Sequence, residues 1–171
     1  MRVATFDEET AVLGFFEAME QGLAKRIMGD AALGVVERDG IRFAVALSPQ
    51  VATLPPELLE GAESAGLPLG ILEDPDFHLD LQGAALVARQ TKAQSLRVTE
   101  QAAHLFLYGR NVLGDSVLWH DAVLSKGDAC IVCNARGEAL GLGVVVGSFK
   151  GMREAVRPVQ DMGTYLRDQD E

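Results

Sequence analysis

The side chains of greatest chemical potential in this 171-residue chain are Cys130 and Cys133, its two cysteines. A Cys-x-x-Cys spacing can serve metal binding or thiol–disulfide exchange. A tetrahedral zinc site needs four ligands, and the sequence offers no second cysteine pair. His78, His104 and His120 are scattered, none at ligand spacing. Asp128 to Cys133 reads as a strand, in which positions i and i+3 face opposite sides. That suits neither a disulfide nor a shared metal, so both cysteines are expected to be small buried or half-buried strand residues. Trp119-His-Asp sets a histidine beside an acid, but adjacent residues on an extended chain face apart and no nucleophile accompanies them. Gly141-x-Gly143 lies within a strand with no helix after it, unlike a dinucleotide fingerprint. No Gly-x-Ser-x-Gly elbow is present. Asp74 and Asp76 read as loop residues beside Pro75, and Glu57, Glu60 and Glu63 as a solvated helix stripe. No catalysis, cofactor or metal is expected.

Binding chemistry is the remaining class, and charge bears on it. The net charge is −10, which by itself disfavours a polyanionic partner. Its distribution is uneven. Residues 1–90 carry 6 Lys/Arg and 15 Asp/Glu, whereas residues 91–171 carry 9 and 10. Three of those ten acids, Asp168, Asp170 and Glu171, sit in the last four residues. The acidity belongs to the first half and the tail, so a polyanionic partner is not excluded for the second half.

Composition frames these readings. With 48% hydrophobic residues the chain can build a real core, as one medium domain or two small ones. No apolar run approaches the roughly 18 residues of a membrane helix. The start, with Arg2, Asp7, Glu8 and Glu9, has no apolar signal core, so a cytoplasmic location is expected.

Several elements must position any site. Thr5 to Glu8 is a capping-box pattern, and Val12, Phe16, Met19 and Leu23 recur at helical spacing, predicting a helix over about 7–26. Arg38-Asp-Gly between apolar runs 32–37 and 41–47 predicts a hairpin. Pro55-Pro-Glu predicts a helix to about Ala65. Strands are expected over 67–72 and about Phe77 to Leu81, then a helix over 84–90. The polar, aperiodic segment from Gln90 to Ser95 marks a boundary, giving an N-terminal α/β domain over 1–93 and a second domain over 94–171. In the latter, Leu96 to Val98 is a strand, Thr99 caps a helix to about Leu107, and Gly109 is its left-handed cap. Short strands near 117–118, 129–132, 139–146 and 155–159, separated by Gly or Asn turns, predict a small β-barrel. Asp161 caps a last helix ending near Arg167.

The second half resembles a PUA domain, a compact barrel that binds RNA in many modification and ribosome-assembly proteins. The resemblance is carried by Arg97-Val-Thr-Glu-Gln-Ala-Ala, Phe106-Leu-Tyr-Gly-Arg-Asn-Val-Leu, Ser116-Val, Gly127-Asp-Ala-Cys-Ile-Val and Gly137-Glu-Ala-Leu-Gly-Leu-Gly-Val. The Phe106 stretch, with Asp161-Met-Gly-Thr-Tyr-Leu-Arg, is similar to the Nip-seven family of large-subunit ribosome-biogenesis proteins. The first half fits more loosely, through its opening Met-Arg with an acidic Thr-initiated helix and Phe77-His-Leu-Asp-Leu before Ala84-Ala-Leu. The short stretch between Gly143 and Asp161 looks like the archaeal members.

That resemblance implies an α+β protein, an N-terminal α/β domain followed by a PUA barrel. It implies a non-enzymatic role in large-subunit rRNA maturation, through rRNA or U-rich RNA and protein partners. The loop after the barrel's first helix, with Gly109 and Arg110, is then on the RNA face. Lys150, Arg153 and Arg157 form a second cluster, basic in archaeal relatives. Arginine suits both sites because its planar fork grips phosphate. Gly109 can equally be only a cap, and three basic residues in a polar loop can be only solvated surface. Tyr108 is expected in the core beside Phe106 and Leu107, with base stacking as the alternative. Many relatives carry lysine where this chain has Gly114-Asp115, and Asp115 is expected to repel phosphate. About three phosphate contacts on single-stranded RNA give a log–log salt slope of only about −2. A second reading is a ribosome-assembly adaptor whose barrel binds RNA weakly or not at all and whose acidic first domain docks on basic ribosomal or assembly proteins. A third has the barrel deliver RNA to an enzyme elsewhere. A monomer is expected.

Overall fold

The computed structural model describes residues 1–55, 57–58 and 66–164. The chain divides into two compact units, Met1–Leu86 and Val87–Glu171.

In the first unit, β1 (Arg2–Val3) leads into α1 (Phe6–Met19). Thr5 Oγ1 accepts the Glu8 backbone N–H at 3.4 Å, and the Glu8 carboxylate accepts the Thr5 N–H at 2.8 Å, completing the capping box. Val12 and Phe16 are fully buried, and Phe15, Phe16 and Phe77 pack edge to face. The expected single helix to Arg26 is in fact two. The chain leaves α1 at Glu20, turns at Gly22 with φ +77°, and restarts as α2 (Leu23–Met28). Glycine costs about 1 kcal/mol in a helix interior, and the Gly22 N–H instead reaches the Glu17 carboxylate at 2.7 Å. Leu23 remains buried, so the apolar period runs through a break it cannot reveal.

Strands β2 (Ala32–Arg38), β3 (Ile41–Leu47), β4 (Leu67–Glu73) and β5 (Asp76–Leu79) join β1 in an antiparallel sheet of order β1-β2-β3-β4-β5. Asp39 and Gly40 both have positive φ, as a tight type I′ hairpin demands. A short helix, α3 (Pro49–Ala52), follows β3 where none was expected, begun by Ser48 as cap. The helix expected from Pro55 to Ala65 lies largely outside the described residues. Helix α4 (Leu81–Gln90) starts earlier than expected, because the Asp80 carboxylate accepts the Gly83 N–H at 2.7 Å and acts as N-cap.

The second unit holds β6 (Ser95–Val98), α5 (Glu100–Leu107), β7 (Val112–Leu113), a 3-10 turn (Gly114–Ser116), β8 (Val117–His120), β9 (Ala129–Cys133), β10 (Ala139–Val145) and β11 (Glu154–Asp161). Their order is β7-β11-β10-β9-β6-β8, antiparallel except for β6 beside β9. This sheet curls into a nearly closed barrel. Phe106 fills its core with Leu96, Val98, Val112, Val132 and Val156. Cys130 and Cys133 are buried strand residues. Burial pushes their thiols up to about 12 and about 11, so neither forms a thiolate near neutral pH. After β11 the Asp161 carboxylate accepts the Gly163 N–H at 2.9 Å; the expected helix beyond it lies outside the described residues. No helix among the described residues is long and apolar enough to cross a membrane.

Candidate functional site

The first candidate group sits where α5 ends. The Gly109 N–H bonds the Phe106 carbonyl at 2.8 Å, and the Arg110 N–H bonds the Leu105 carbonyl at 3.0 Å. This reciprocal pair is a Schellman cap, and it requires the left-handed φ of +74° at Gly109. A side chain at Gly109 would meet nothing within 4 Å, so the backbone there is open to a ligand. Arg110 is exposed. Tyr108, expected in the core, is instead 67% exposed. Phe106 is fully buried and Leu107 packs against the core, while the cap turns Tyr108 out.

Lys150 and Arg153 lie in the loop between β10 and β11, and both are exposed. The backbone fixes this loop against the 3-10 turn. Gly114 N–H donates to the Arg153 carbonyl at 3.0 Å and Asp115 N–H to the Gly151 carbonyl at 2.9 Å. Gly151 N–H in turn donates to the Asp115 carboxylate at 2.5 Å. Asp115, expected only as a charge that repels phosphate, also anchors the loop. A Cβ at Gly114 would stand 2.7 Å from both the Lys150 nitrogen and the Ser148 carbonyl oxygen, so this chain has no room for a lysine there. Phe149 adds a second hold, stacking on the His120 ring at 4.2 Å.

Arg157 lies on β11, opposite Val144 of β10. Alternation with Val156 and Val159 does not fix its side. A register shift in the pairing of β11 with β7 falls between Glu154 and Val156, Ala155 and Val156 are both buried, and Arg157 emerges exposed. Val112 pairs with Val156, so Arg110, two residues before Val112, enters the sheet near the Arg157 end. Arg153 immediately precedes β11 and Arg157 lies on it, four residues on, a stretch of extended backbone that spans at most about 13 Å. The structure thus gathers Arg110, Lys150, Arg153 and Arg157 along the β7–β11 edge. Among the described residues, none of the four has an acidic side-chain partner within salt-bridge distance. Glu154 is also exposed on this edge and dilutes its positive field.

Asp115, Phe149 and Glu154 are the contributors that sequence reasoning missed or misjudged. Their roles depend on contacts between segments about thirty or more residues apart, which local pattern does not encode. His120 and Asp121 do not form a catalytic pair. His120 Nδ1 lies 3.0 Å from the Asp121 carbonyl oxygen, and the Asp121 carboxylate accepts the backbone N–H groups of Gln94 and Val123. Among the described residues, no cluster of three or more His, Cys, Asp or Glu could hold a metal.

Residues 94–170 match the family model described as the UPF0113 PUA domain. A UPF0113 protein from Aeropyrum pernix is 34% identical over 108 residues, which cover 61% of this chain and 57% of that relative. The chain therefore spans little more than half the length of the curated relative it matches. Two solved structures share the fold across nearly the whole chain. One is a hypothetical protein from Pyrococcus horikoshii, with TM-score 0.67, 13% identity and coverage of 94% of this chain and 93% of its own. The other is a conserved PUA domain protein from Thermoplasma acidophilum, with TM-score 0.65, 12% identity and coverage of 98% and 97%. The barrel of the second unit is a PUA domain, and the family that residues 94–170 match is UPF0113.

Proposed function

We propose that this protein binds RNA through its PUA barrel and acts in large-subunit rRNA maturation as a member of the Nip-seven family, without catalysis of its own. The observation that carries the reading is the row of exposed cations on one barrel edge, Arg110, Lys150, Arg153 and Arg157, none with an acidic partner among the described residues. Phosphate recognition needs cations whose charge is not already neutralised. A fixed loop lets them bind with less ordering cost. Gly109 leaves backbone accessible beside them, and the exposed Tyr108 ring offers a stacking face. The non-catalytic reading is supported by the buried, protonated thiols and by the engagement of His120 and Asp121 with backbone groups.

The test is fluorescence anisotropy with labelled U-rich RNA and large-subunit rRNA fragments, at low and physiological salt. The expected result is saturable binding, tighter for large-subunit fragments than for unrelated RNA of equal length, and lost in Lys150→Glu/Arg153→Glu. Binding unchanged in that variant contradicts the assignment of the site. Equal affinity for unrelated RNA contradicts the ribosomal part.

One observation favours a second reading. The first 90 residues carry 15 acids against 6 Lys/Arg, which suits docking on a basic assembly protein. Capture of basic ribosomal proteins by the full chain, with no RNA binding at either salt, is the outcome expected of such an adaptor.

A further inference from the structure

Three other cations of the second unit lie on elements apart from the β7–β11 edge: Lys92, Arg97 and Arg136. Leu96 and Val98 are fully buried, so Arg97 between them points out of the barrel. Its partner on β8 is Trp119, and directly opposed antiparallel residues share a face. Trp119 is 39% exposed, and the Lys92 ammonium lies 5.9 Å from its ring centroid. β8 ends the sheet. On its other side Arg97 pairs with Cys133 of β9 and reaches the turn that follows, where a Cβ at Gly137 would stand 2.8 Å from its Nη2. The Asn134 side-chain oxygen fixes this turn by accepting the N–H groups of Arg136 and Glu138 at 2.9 and 3.0 Å. Arg136 is exposed and lines a groove of about 360 Å³ between the turn and α5, with Glu100, His104, Leu107 and Leu140 among its walls.

We propose that this face is a second contact for the same RNA, engaging it as a single strand. The proposal rests on the RNA-binding reading above. Trp119 stacks a base, and Lys92, Arg97 and Arg136 meet successive phosphates. The groove beside Arg136 seats one splayed base. Glu100 excludes phosphate from the groove by like charge, while its carboxylate accepts a hydrogen bond from a base N–H. Stacking on an aromatic ring requires an unstacked base, which selects single-stranded RNA over duplex. An aromatic plate flanked by cations is the pattern that single-strand binding uses.

Trp119 is the sole tryptophan, so its intrinsic emission reports on this face alone. Unlabelled oligo(U) and oligo(A) would be titrated into the full chain, with labelled-RNA anisotropy run in parallel, for wild type, Lys92→Glu/Arg136→Glu and Lys150→Glu/Arg153→Glu. Circular dichroism and thermal melting would establish that the variants fold. The expected result is saturable quenching of Trp119 with the same midpoint as the anisotropy change. Lys92→Glu/Arg136→Glu should lower the magnitude of the salt slope by about 1.4. Trp119→Ala should raise the Kd at least about fivefold, the lower end of base-stacking effects. Binding by anisotropy with unchanged Trp119 emission, and affinity unaffected by Lys92→Glu/Arg136→Glu, overturns this inference and leaves the RNA-binding reading standing. Absence of RNA binding in the wild type overturns both. Exclusive binding of a protein partner at Trp119 would likewise overturn it.

Discussion

Three of the first unit's four arginines are held by carboxylates, whereas among the described residues the candidate cations of the second unit are not. In the first, Arg2 grips Glu8 through both terminal nitrogens, at 2.6 and 2.7 Å. Arg42 reaches Glu8 at 3.2 Å and Asp74 at 2.8 Å. Arg26 is paired with Glu20. In the second unit, among the described residues, Arg110, Lys150, Arg153 and Arg157 have no such acid. Paired cations fasten β1, α1 and the sheet to one another; unpaired ones retain a field that a phosphate can use. Net charge hides this difference, because a bound arginine and a free one count the same. An acidic first unit and a second unit with exposed cations are therefore compatible within one chain.

The comparison can be broken most severely at Glu8. It is only 6% exposed, and its hydrogen bonds with Arg2 hold its carboxyl down at about 2 from an ordinary 4.5. Glu8→Ala should cost the first unit about 2 kcal/mol, read by chemical denaturation, while RNA affinity stays at the wild-type value. Because the folded value lies below the unfolded one, this contribution is complete above about pH 4.5. It should fade as pH falls toward 2, so an acid titration of wild type against Glu8→Gln should converge there. Curves that stay parallel to the lowest pH would remove Glu8 as the cause.

A smaller effect is expected at the loop anchor. Asp115→Ala deletes the bond from Gly151 at the cost of about 1 kcal/mol. If Asp115 acts chiefly as an anchor, RNA binding weakens a few-fold although a negative charge has been removed. Tighter binding would instead show that its charge outweighs its structural role. Smallest of all, Glu154→Lys adds a cation to the β11 edge and should increase the salt slope by about 1, with unchanged melting temperature. No change in slope would place the RNA elsewhere.

Much of the architecture was legible because it is locally encoded. The Thr5 capping box, the Asp39-Gly40 hairpin and the Thr99 and Gly109 caps each follow from residues within one or two turns. The short, turn-punctuated strands gave the barrel. What escaped notice depends on contacts distant in sequence or on irregular geometry. The break at Gly22 preserves the apolar period on both sides. The irregular register near Ala155 and Val156 decides that Arg157 faces out, where alternation alone was ambiguous. Tyr108 looked like core because its neighbours are, yet a single left-handed residue turned it outward. Asp115 could be read only as a charge until its partner, Gly151, was known. The candidate cations were identified by type and family resemblance; that they lack acidic partners required the fold.

The most direct test of the central claim is the salt dependence of the RNA Kd, measured by anisotropy for wild type and Lys150→Glu/Arg153→Glu. The account predicts a wild-type log–log slope of at least about 2 in magnitude, reduced by about 1.4 in the variant. A wild-type slope that the variant leaves unchanged would contradict it, because the phosphates would then be neutralised by other residues.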